Sequence, residues 1–105
     1  MRKPWQEEFT YSVIDLYLFN KGDLNSVSQI LPMGLKAFGS ELTDYIIKNI
    51  IKEANGDFYC GICSKGPFSK KGIKLHLLRV HQKDILEIID EFVMSRISAI
   101  KKSRI

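Results

Sequence analysis

The chain has 105 residues, 45% of them hydrophobic and 10% aromatic, with a formal net charge of +4. That composition excludes a disordered chain, and no apolar run approaches the roughly 18 residues of a membrane span. The N-terminus, MRKPWQEEF, lacks the apolar stretch of a secretory signal, and two cysteines only two residues apart argue against a structural disulfide; a reducing compartment, cytoplasmic or nuclear, is the expected location.

In chain order, Pro4 suits the first turn of a helix, and Trp5, Phe9, Val13 and Leu16 then recur at helical spacing. Asn20-Lys21-Gly22 ends that helix, with the glycine as left-handed cap. A short helix over 26–31 follows, capped by Asn25 or Asp23, until Pro32 and Gly34 break it. The segment LKAF adds a turn, and Ser40 caps a third helix with the apolar face Leu42, Tyr45, Ile46, Ile50 and Ala54. Its stop is Asn55-Gly56, which favours helix over strand for YIIKNII. Phe58 to Phe68 holds two extended pieces around a turn, and Ser69 caps the next helix. That helix can run toward Ile100, with an interruption near His81–Lys83 and a restart at Asp84, where Glu87 completes a capping box. The order divides the chain into a helical region (1–56), a central module (57–83), and an amphipathic helix with a basic tail (84–105).

The central module holds every cysteine and histidine of the chain. Cys60, Cys63, His76 and His81 follow the spacing C-x2-C-x12-H-x4-H. A closed tetrahedral zinc site needs four soft or borderline donors from two elements: a tight turn can aim two thiolates and one helix face two imidazoles. The same module is basic. Residues 58–83 carry Lys65, Lys70, Lys71, Lys74, Arg79 and Lys83 and no acid, the footprint of a polyanion-binding surface.

These residues resemble the C₂H₂ zinc-finger family. Phe58, two before the first cysteine, and Ile73, three before the first histidine, match the family's apolar positions. Its central phenylalanine would fall at Pro67, and Phe68 comes one residue late, so the turn into the helix is expected to be shifted. The resemblance covers about a quarter of the chain and implies one structural Zn2+ held by Cys60, Cys63, His76 and His81. The composition, rich in Ile and Lys with one isolated finger, is also similar to that of small archaeal and archaeal-virus zinc-finger proteins.

The expected fold is therefore mainly α, with one small ββα finger between a helical N-terminal part and a long C-terminal helix. The N-terminal part admits either a winged-helix-like arrangement, with a helix-turn-helix in 26–54, or a helical scaffold. With four protein donors on the metal and no acid between Asp57 and Asp84, no catalytic site is expected. The base-reading positions of family members fall here at Ser69, Gly72 and Leu75, which are poor readers. A phosphate grip through Lys65, Ser69, Lys70, Lys71, Lys74 and Arg79 is the better expectation, with DNA ahead of RNA as partner. The rival is a protein-interaction adaptor. The stripe Ile85, Ile88, Ile89, Phe92, Val93, Ile97 and Ile100, acidic at its start and basic at its end, suggests a homodimer through 84–100.

Overall fold

A computed structural model describes residues 5–103, with side chains over 5–98; Pro4 and Arg104 lie outside them. Helix α1 (Trp5–Phe19) buries Phe9, Val13, Ile14 and Leu18 on one side. Asn20, not Gly22, is its left-handed terminator: at φ +54° its N–H reaches the Leu16 carbonyl at 3.1 Å. Asparagine tolerates that conformation better than most residues, and Gly22 at φ +77° completes the turn. Helix α2 (Leu24–Ser28) starts earlier than the sequence suggests, because Asp23 and Ser26 cap each other reciprocally.

A 3₁₀ stretch, Met33–Phe38, takes the place of the turn expected at LKAF and feeds directly into α3 (Gly39–Ile50). Ser40 therefore makes no cap: Phe38 holds the cap position and no side chain bonds there. Gly39 is needed for close approach, since a Cβ on it would overlap Ser28. Ten residues, 29–38, separate α2 from α3, more than the three or four of a helix-turn-helix.

The main departure from expectation follows α3. Its helix stops at Ile50, and Ile51–Ala54 form a strand, β1, paired antiparallel with β2 (Asp57–Cys60). Asn55 and Gly56 both have positive φ, +54° and +83°, the signature of a two-residue hairpin turn matched to the twist of its strands. The register pairs Ile51 with Cys60 and Ala54 with Asp57. The hairpin expected within 58–68 is reduced to one bridge on the other edge of β2, Phe58 with Phe68.

Ser69 caps α4 (Lys70–Val80) by accepting the Gly72 N–H at 3.0 Å. Helix α5 (Gln82–Ser103) begins after a single residue, His81. Phe9, Ile14, Ile46, Ile50, Ile73 and Ile85 belong to one core spanning both halves of the chain. Of the C-terminal stripe, Ile85, Ile89 and Phe92 are buried in that core, Ile88 and Val93 pack against it, and Ile97 stays 38% exposed. Tyr45 meets Phe92 at 5.3 Å between ring centres, and Glu41 pairs with Arg96 at 2.5 Å, tying α3 to α5. The molecule is thus mainly helical with one small antiparallel sheet.

Candidate metal centre

The turn after β2 presents both cysteines. Cys60, fully buried, ends the strand. The backbone N–H groups of Ile62 and Cys63 point at its sulfur, at 3.4 and 3.5 Å. The turn is clamped to the end of α3, with the Gly61 N–H on the Ile50 carbonyl at 2.8 Å. A Cβ at Gly61 would overlap the Asn49 carbonyl, so only glycine allows this approach. The C-x2-C spacing leaves the identity of the residues between the cysteines open; here Gly61 docks the turn on the core.

Opposite the turn, α4 presents His76 and its terminus presents His81. The His76 ring stacks on Phe68, centroids 4.8 Å apart at 28°, and its Nε2 lies 3.4 Å from the Cys63 sulfur. Phe68, one residue late for the finger pattern, thereby still reaches the site, held by two backbone hydrogen bonds to Phe58. His81 is buried, with Nδ1 2.9 Å from a carboxylate oxygen of Asp84. That carboxylate fixes the proton on Nδ1 and leaves Nε2 as a free donor atom. His81 Nε2 is in fact buried with no hydrogen-bond partner, an arrangement that costs free energy unless something binds there.

The donor atoms of Cys60, Cys63, His76 and His81 all lie within 4.8 Å of one another. Zinc with two sulfurs and two nitrogens at its usual bond lengths sets ligand atoms about 3.3–3.8 Å apart, so a small contraction suffices. Electrostatics agree. The Lys65 N–H, hydrogen-bonding the Cys63 sulfur, is the largest of the effects that lower that thiol to about 6, poised as thiolate. Burial pushes the Cys60 thiol up. At His81 burial opposes the charged ring, but the Asp84 hydrogen bond and the nearby Cys63 outweigh it and raise the pKa. The residues fit a metal ion, and one structural zinc is compatible with all four.

No family model, curated protein or solved structure matches the chain.

The basic residues divide into two groups. Lys65, Lys70 and Lys71 are exposed around the entry to α4 and, among the described residues, make no ion pair. Arg79 is exposed at the far end of α4. Lys74 is turned inward instead. It pairs with Asp15 of α1 at 2.5 Å and lies 4.7 Å from the centre of the Tyr11 ring. Ser69 spends its hydroxyl on the α4 cap. Two partners escaped sequence reading: Asp84, taken as a helix restart, orients His81, and Asp15 neutralises Lys74. The first had a signal, since residues three apart on a helix are neighbours; the second, across 59 positions, had none.

Proposed function

We propose that the protein is a single-zinc, nucleic-acid-binding protein, with DNA as the preferred partner, in which a ββα finger is built into a helical body. In this reading β2, the Phe58–Phe68 bridge and α4 form the finger, and zinc supplies its cross-link. The observation that carries the nucleic-acid assignment is that Lys65, Lys70 and Lys71 are all exposed around the entry to α4, within a stretch, 58–83, whose sequence has no acid. Positive charge there opposes the helix macrodipole, a local cost that a bound phosphate would remove. Lys74 has no part in this grip.

The mechanism is a sequence-tolerant clamp. Cys60, Cys63, His76 and His81 would hold the zinc, which would join the turn and α4 as one rigid unit; the lysines displace counterions from phosphates. Leu75 carries no base-specific hydrogen bond. Lys70→Ala and Lys71→Ala are each expected to weaken duplex binding evenly across sequences and to lower the salt slope by about 1, read by fluorescence anisotropy over a salt series. Binding that is unchanged in both variants defeats the assignment. The adaptor reading draws support from exposed Leu75 and Tyr11; it predicts no salt-dependent DNA binding at all.

A further inference from the structure

A cleft of about 750 Å³ runs between α1 and the α4–α5 junction. Its apolar lining is Tyr11, Leu75, Leu78 and Leu86, and its α1 wall carries Glu7 and Glu8. Tyr11 and Leu75 are 52% and 38% exposed, so apolar surface is left open beside acids. Arg79 stands on the α4 side of the same cleft, which steers a basic occupant toward the α1 wall.

The complementary surface is at the other end of α5. Met94 and Ile97, 63% and 38% exposed, follow the last buried core residue, Phe92. Lys101 and Lys102 come next on the same helix. Positions 86, 90, 93, 97 and 101 are spaced four, three, four and four apart and so share one helix face. That face starts in the acid-walled cleft and ends in an apolar, basic segment.

We infer that a second copy of this chain fills the cleft through a two-fold antiparallel pairing of α5 with α5. Setting Leu86 of one chain opposite Ile97 of the other also sets Asp90 opposite Val93 and Gln82 opposite Lys101, in both directions at once. Each copy's Met94–Ile97 turn covers the other's cleft, and the last turn of its α5, whose sequence is basic, runs on toward the Glu7–Glu8 wall. The contact is self-complementary and closes after two chains. It leaves Lys65, Lys70 and Lys71 outside the seam. The inference rests on the cleft and α5 alone and stands whether or not the protein binds nucleic acid.

The test is sedimentation equilibrium of the zinc-loaded full chain at micromolar concentration. A dimer is expected, and Ile97→Asp or Met94→Ser should shift it toward monomer. Glu7→Lys with Glu8→Lys should weaken it by about tenfold or more, and adding Lys101→Glu and Lys102→Glu should restore it. Zero-length carbodiimide cross-linking of mixed isotope-labelled chains should join Glu7 or Glu8 of one copy to Lys101 or Lys102 of the other. Zinc content and far-UV circular dichroism report folding; because Met94 is so exposed, Met94→Ser keeps the test decisive if Ile97→Asp misfolds. A strict monomer, including one that binds a foreign helix in the cleft, overturns the inference. So does a dimer indifferent to both charge reversal and Met94→Ser.

Discussion

Asp84→Asn isolates the orienting role of a carboxylate that would not itself touch the metal. Asp84 accepts from His81 Nδ1 at 2.9 Å and is half exposed, with 50% of its side chain in solvent. Removing such an outer partner of a metal-bound histidine costs about 10- to 100-fold in metal affinity. Solvent screening at a half-exposed carboxylate favours the lower end, and asparagine can still accept the hydrogen bond, so about tenfold is expected, or ~1.4 kcal/mol. The loss should also depend on pH. The Asp84 bond helps raise the His81 pKa, so the carboxylate strengthens proton binding as well as metal binding. Well above that pKa only the metal term counts, and the full loss appears. As pH falls through it, the proton competes harder in the wild type than in the variant, and the two affinities converge. Competition with a chromophoric chelator across a pH series reads both effects. Equal affinities at pH 8, or a gap that widens on acidification, would refute the orienting role.

Three further outcomes follow from the packing. Chelation, or Cys63→Ser, should remove the metal and release residues 57–81 in hydrogen exchange. Isolated finger peptides owe about 10–16 kcal/mol to zinc, but here the contacts among α1, α3 and α5 should persist, so complete loss of helical dichroism would contradict the shared-core picture. Lys74→Ala should destabilise the fold by about 1–2 kcal/mol through its lost ion pair and aromatic contacts while leaving the salt slope of DNA binding unchanged; a lowered slope would return Lys74 to the phosphate grip. Gly61→Ala should cost about 1–3 kcal/mol by forcing the cysteine turn off the Asn49 carbonyl, seen as a lower Tm and weaker zinc binding, and an unchanged Tm would show that this approach is not tight.

The cluster of Cys60, Cys63, His76 and His81, close enough to hold a metal ion, was legible in the sequence because such a cluster depends on residue type and spacing, both printed in the chain. The cap at Ser69 was legible for the same reason, and that at Asp23 as one of two candidates beside Asn25: each bonds within three residues of itself. The strand Ile51–Ala54 was not. Ile50 and Ile51 are buried side by side, and two adjacent apolar residues fit a broad helix face as well as a helix-to-strand junction. Asn55-Gly56 ends a helix or turns a hairpin with the same positive dihedrals, and only pairing with β2 decides between them. The inward turn of Lys74 was not legible because it sits beside the buried edge of α4, marked by Ile73 and Leu77, and local pattern cannot say that α1 lies across it with Asp15.

His81 belongs to two helices at once. Its N–H closes the last turn of α4 on Leu77, and its carbonyl receives the Ile85 N–H in the first turn of α5. The gap between the two histidines therefore also indexes every residue of α5 against the core. Adding or deleting one residue there turns all that follows by about 100°, carrying Ile85, Ile89 and Phe92 off their seats in the core. Where histidine spacing in an isolated finger can drift with only local adjustment, in this chain it is locked to the register of a 22-residue helix. Viable variants should therefore almost never change length between His76 and Ile85.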